Sequence, residues 1–165
     1  MPESRTEPFY ATPRGLFRVA AIAEAITWTL LITALIVRAT TGFALGVTIA
    51  GGIHGFVFLT YGATAVLLAV NQRWHPGVAA VAIISAIVPY ATIPVELWLA
   101  RSGRLDGAWR RDETDDPRDK VWIDRLARWF IRHPVLLVAL IAAAVVVLFI
   151  VLLSLGPPQL PGPGD

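Results

Sequence analysis

Residues 134–155 read PVLLVALIAAAVVVLFIVLLSL, an apolar run with no charge in it. A helix needs about 20 predominantly apolar residues to cross the hydrocarbon core of a bilayer. Three further runs reach that length, at about 16–37, 43–70 and 78–100. Composition leaves little room for a different solvent. Hydrophobic residues make up 56% of the 165 and charged residues 16%, against roughly 25% charged in ordinary soluble domains. A soluble domain of this size cannot bury so much apolar surface. The alternating strands of about 10 residues that mark a membrane barrel are absent. The expected fold is an all-α membrane protein. It has a bundle of three antiparallel transmembrane helices (16–100), an amphipathic interfacial helix and a fourth transmembrane helix (134–155).

Residues 1–15 are polar and contain Pro, and 156–165 are mostly Pro and Gly; both are expected to be disordered tails. The first run is too long for a secretory signal peptide, and Glu24 interrupts it. The links RATTG (38–42) and NQRWHPG (71–77) are short, so sequential helices should be antiparallel neighbours. The connection 101–133 differs, with nine of the 14 basic residues and seven of the 12 acidic ones. Within it, 118–133 has helical periodicity. Trp122, Ile123, Leu126, Trp129 and Phe130 share one face, opposite Asp124, Arg125, Arg128 and Arg132. That pattern predicts a helix in the membrane interface, with Trp122 and Trp129 toward lipid and Arg125, Arg128 and Arg132 toward headgroups. RRDETDD (110–116) reads as a solvated turn.

If all four runs cross, Arg38 and the 101–133 loop share one side, and Arg5, Arg14, Arg18 and Arg73 share the other. The excess of basic residues then sets the loop in the cytoplasm and both termini outside. Lys120 is the sole lysine, a bias toward Arg that points to a GC-rich bacterial genome and hence to a bacterial inner membrane. Trp74, Trp98, Trp122 and Trp129 fall at the edges of the runs, where amphipathic rings settle. Trp28 is mid-run, and its indole N–H needs a partner.

Polar groups inside the runs are the candidates for function. A central acidic residue costs roughly 2.5–3.5 kcal/mol on insertion scales, so such residues face a bundle interior. Glu24 lies about 10 Å into the first run by helical rise. The second run, GGIHGFVFLTYG (51–62), brings His54 near mid-membrane and Tyr61 two turns along the same face. Counting depth from each centre makes Glu24–Tyr61 the easier direct pair. Glu24–His54 needs a small shift or a bridging water. Thr27 and Thr60 are available to either. Gly51, Gly52, Gly55 and Gly62 flank His54, and small residues at this spacing let helices approach closely. Two readings of His54 stay open: a structural hydrogen bond to a neighbouring helix, or a proton relay or ligand contact. One His with no Cys is too few ligands for a metal. In the third run Pro89 and Pro94 should kink or open the helix. Tyr90 and Thr92 are expected near the depth of His54, and Glu96 is expected to pair with Arg101 or Arg38.

FRVAAIAEAITWTLLI (17–32), followed by GGIHGFVFLTYGA (51–63), resembles a family of small bacterial integral membrane proteins with an HG motif, known as domain of unknown function 3817. The resemblance covers about residues 15–101 and matches Glu24, His54 and Gly55. It implies a three-span unit in a membrane and no reaction. The amphipathic loop and the fourth run lie outside it.

With no Cys and no constellation of nucleophile, base and metal ligands, the chain is expected not to be an enzyme and to need no cofactor. A net charge of +2 makes no case for nucleic acid. The expected role is a subunit or scaffold that binds membrane proteins, a copy of itself or anionic lipid in the bilayer. The alternative is a small proton-coupled carrier using Glu24 and His54.

Overall fold

The computed structural model describes residue 8 and residues 11–155. The expectations for residues 1–7, 9–10 and 156–165 fall outside these. Every regular element among the described residues is a helix, and none is a strand.

Helix α1 is Pro13–Thr41. It starts three residues before the apolar run because Thr12 caps it, accepting from the Gly15 N–H at 3.0 Å, with Pro13 in the first turn. Pro suits that position because its missing N–H would have no partner there. Gly42 ends the helix in the left-handed region, φ 76°, its N–H donating to the Arg38 carbonyl. Helix α2 is Leu45–Asn71. At 1.5 Å per residue the two helices are about 43 and 40 Å long, and both are long and apolar enough to cross a membrane. They pack antiparallel across the short link.

The expected third span is not one continuous helix. Helix α3, Pro76–Ile84, continues through a 3₁₀ turn at Ser85–Ile87 and stops. Val88 is extended, φ −98° and ψ 123°, the region into which a following proline pushes its neighbour. Tyr90 is left-handed, φ 64°. Helix α4, Thr92–Arg101, then resumes and runs back. The two halves are about 18 and 15 Å long, so each spans only half the hydrocarbon thickness.

The return path is fixed by contacts. The Trp74 indole, just before α3, donates to the Arg104 carbonyl, just after α4, at 2.8 Å. Asn71 exchanges two hydrogen bonds with the backbone of Arg110, at 3.2 and 3.3 Å. Arg14, at the start of α1, is 3.9 Å from Asp106. The hairpin tip meets the middle of α1, where the Trp28 indole donates to the Ala86 carbonyl at 3.2 Å. The expectation that 71–77 and 101–133 emerge on opposite sides is thereby overturned. The assignment of both termini to the outside assumed that separation.

The core is built from Phe17, Tyr61, Leu68, Leu99 and Leu105 with Ala21, Ala65, Ala82 and Ala86 between them. These alanines carry the close approach that the sequence suggested for glycine. A Cβ added at Gly51, Gly52, Gly55 or Gly62 would meet nothing within 4 Å. Outward positions such as Ile22, Ile26, Ile49 and Ile53 are exposed aliphatics, as a lipid-facing surface requires.

After a 3₁₀ turn at Pro117–Lys120, α5 covers Trp122–Arg132 and α6 covers Pro134–Leu155. The chain bends by 101° between them. Both pack on α2, and α6 begins at the same end as the 71–77 link.

Candidate functional site

The polar groups predicted inside the membrane meet where α1, α2 and the α3–α4 hairpin converge. Glu24 and Thr27 lie on one face of α1, separated by most of a turn. His54 faces them from α2. The Glu24 side chain is fully buried, and neither carboxyl oxygen has a hydrogen-bond partner. Its Oε2 is 3.9 Å from His54 Nδ1, which is ion-pair spacing but too far for a hydrogen bond. The Thr27 hydroxyl is 3.0 Å from both the Glu24 carbonyl and His54 Nδ1. If its hydrogen goes to the carbonyl, Nδ1 carries the imidazole hydrogen and donates to Thr27. Nε2 is then the acceptor. The imidazole is sandwiched by aromatics, with Trp28 at 4.5 Å and Phe58 at 6.2 Å between centroids.

An isolated charge in such a place costs several kcal/mol. The pair therefore stays neutral as a unit, either as acid and imidazole or as carboxylate and imidazolium. The two forms differ by one proton, held by the Glu24 carboxyl in the first and by the imidazole in the second. Among the described residues no group of three or more His, Asp or Glu is placed to hold a metal.

Tyr61 does not join this pair. Its hydroxyl lies 2.9 Å from Ser85 Oγ and 3.1 Å from the Ala82 carbonyl, so the expected Glu24–Tyr61 contact is not formed. The Tyr61 ring packs on Phe17 of α1, 5.3 Å between centroids, but its hydroxyl points to the hairpin, away from Glu24. Thr60 bonds its own helix at the Phe56 carbonyl. Thr92 crosses to the Ala21 carbonyl at 3.1 Å, and Tyr90 lies 3.3 Å from Thr29 Oγ1. Glu96 is buried but pairs with neither Arg101 nor Arg38. Gly55 sits beside His54 on an open face.

The amphipathic helix divides differently from its sequence pattern. Trp122, Ile123, Leu126 and Trp129 are exposed as predicted, Trp122 by 70%. Arg125 is also exposed. Arg128 is not a headgroup ligand: it is 7% exposed. It donates to the Asp119 carbonyl and lies 3.4 Å from the Asp119 carboxylate. Arg132 is half-exposed, donating to the Arg111 carbonyl at 2.8 Å and to Asp112 at 3.1 Å.

Asp119 is the hub that sequence reasoning missed. It accepts from the Thr114 N–H at 2.9 Å, the Thr114 hydroxyl at 2.5 Å and Arg73 at 2.8 Å. Arg110 is at 3.4 Å. The Thr114 bonds, then Arg110 and Arg73, hold its carboxyl at a pKa of about 2. Arg118 holds Asp116 well below the usual carboxylate range. Arg73 itself has φ 53°, an unfavourable conformation for a residue with a Cβ, and it is clasped by Asp116 and Asp119. The segment RRDETDD is thus more than a solvated turn, although Asp112, Glu113 and Asp115 do face solvent.

Long apolar helices, outward aliphatics and polar groups bonded inward define a helical integral membrane protein. Residues 14–101 match the family described as a domain of unknown function (DUF3817), and the chain belongs to that family. Helices α5 and α6 lie outside the matched residues. The chain is also similar to a protein of Streptomyces coelicolor whose name describes it as a membrane protein, at 38% identity over 93 residues. The match covers 54% of this chain and 11% of that protein. No solved structure matches.

Proposed function

We propose that this chain is a non-enzymatic membrane module that binds other membrane proteins. The observation that carries this reading is how the polar groups at the hairpin are used. Trp28, Tyr61 and Thr92 each bond the α3–α4 hairpin to α1 or α2. They fasten a scaffold and leave no reactive constellation. The match to a small fraction of a much longer membrane protein supports the same reading, since a module can serve as part of a larger chain.

In this reading α1, α2 and α6 cross the bilayer, the hairpin enters and returns, and α5 lies in the interface. The 101° bend supports this arrangement, because a helix perpendicular to a crossing helix lies in the membrane plane. All described basic residues except Arg38 then gather at one end. That end is cytoplasmic by the excess of basic residues, with residue 13 inside and residue 155 outside.

A second reading rests on Glu24 and His54. A buried carboxyl without a hydrogen bond, 3.9 Å from an imidazole, is suited to taking up and releasing a proton, as in a small proton-coupled carrier. The experiment compares wild-type protein and Glu24→Gln at native expression, solubilised in mild detergent. The module reading expects a stoichiometric partner, its yield altered by the variant. A lone chain, with vesicle proton flux that Glu24→Gln abolishes, would overturn it in favour of the carrier.

A further inference from the structure

We propose that the cleft between α2, α5 and α6 binds one anionic phospholipid. The proposal rests on the interfacial placement of α5. The cleft has a volume of about 420 Å³, within the usual range of small-molecule sites, roughly 300–1,000 Å³. Its inner wall is mostly apolar, with Leu67 of α2 and Leu137 and Ile141 of α6; Thr60 and Thr64 of α2 also line it, their hydroxyls bonded to carbonyls of their own helix. Its mouth carries Arg111 and Arg132. The cleft is therefore amphipathic, with cations at the headgroup end and an aliphatic wall running along α6.

The two arginines are placed by the chain's own folding. Arg132 Nη2 donates to the Arg111 carbonyl at 2.8 Å, which holds the two backbones together. Asp112, 3.1 Å from Arg132, offsets one of the charges. The Arg111 guanidinium is exposed and has no ion pair among the described residues. One net positive charge thus remains at the mouth. A phosphodiester supplies the matching charge, and arginine suits phosphate oxygens because its N–H groups form a planar fork. The position also fits. The mouth lies beside the bend where interfacial α5 gives way to α6, at headgroup depth, so an acyl chain entering there follows α6 into the hydrocarbon. A zwitterionic headgroup carries its own cation and gains less from Arg111.

The test uses full-length protein reconstituted in vesicles of equal parts phosphatidylglycerol and phosphatidylcholine. The protein is then released in mild detergent and weighed with its bound lipid by native mass spectrometry. Wild-type chains should retain one phosphatidylglycerol in preference to phosphatidylcholine. Arg111→Gln should lower that retention about fivefold, the effect of one basic residue near an anionic surface. Leu137→Trp should block the cleft and lose the lipid with every charge intact. Arg125→Gln, at an exposed arginine of α5 that does not line the cleft, should change nothing. Equal retention of both lipids, or an Arg125→Gln loss matching that of Arg111→Gln, would overturn the site in favour of diffuse attraction. A spin label at position 122 reads the depth of α5 separately. A label in water refutes the interfacial placement, whereas a label at lipid depth with no retained lipid refutes the cleft alone.

Discussion

The hairpin makes a topological prediction that a continuous third span would not. A helix over 78–100 would be about 35 Å long, enough to cross. The broken pair reaches inward only about 18 Å and returns over about 15 Å, so residues 72 and 102 emerge on the same side. The chain has no Cys, so single cysteines can be introduced without background. Gln72→Cys, Ser102→Cys and Thr40→Cys mark the two hairpin ends and the α1–α2 link. Each is treated with a membrane-impermeant maleimide, in spheroplasts and in inverted vesicles. Positions 72 and 102 should label in the same preparation, the inverted vesicles, and position 40 in spheroplasts. The 72–102 agreement does not depend on which side is cytoplasmic. Straightening the hairpin would break the Trp28, Tyr61 and Thr92 bonds, each worth about 0.6 kcal/mol on average between membrane helices. It would also uncover the Ala82 and Ala86 contacts. Opposite labelling of 72 and 102 would refute the hairpin and restore a continuous span.

Gly55→Ala should be tolerated, because its Cβ meets open space and helix propensity favours Ala by about 1 kcal/mol; a clear drop in melting temperature in detergent would restore the close-packing role. Arg73→Gly should be less destabilising than Arg73→Ala by about 1 kcal/mol, since both lose the clasp but only glycine relieves the left-handed strain; equal unfolding midpoints would contradict this. Asp119 titrates near pH 2 in the folded chain against 3.8 ordinarily. A depressed carboxyl stabilises above its unfolded pKa, and that contribution disappears as pH falls from about 4 toward 2. Hydrogen exchange at residues 110–124 should therefore rise over that window, and Asp119→Asn should flatten the response.

Parts of the site were legible in the sequence and parts were not. Glu24, Thr27 and His54 stood out because polar groups in an apolar run need one another, and they do meet. Tyr61 was also recognised, but its partner was not. Helical rise gives depth along one axis and says nothing of what fills the space beside a residue, and here Ser85 fills it. Arg128 followed the amphipathic pattern yet turned inward, because periodicity assigns a face without naming what covers it. Asp119 was invisible, one acid among seven in a charged segment, since its five donors come from four separate stretches of chain.

The sequence by itself determined that this protein lives in a bilayer, that it is helical, and where each apolar run begins. These follow from local quantities: hydropathy summed over about 20 residues, and the placement of proline and glycine outside the runs. Only the tertiary structure decided that residues 76–101 turn back. Pro89 weakens the helix in either case, but whether the chain continues or reverses depends on partners far away in sequence. Trp28, Asn71 and Trp74 hold the reversed path. Their bonds to Ala86, Arg110 and Arg104 join residues 58, 39 and 30 positions apart. Such contacts arise from packing between elements, which no window along the chain contains.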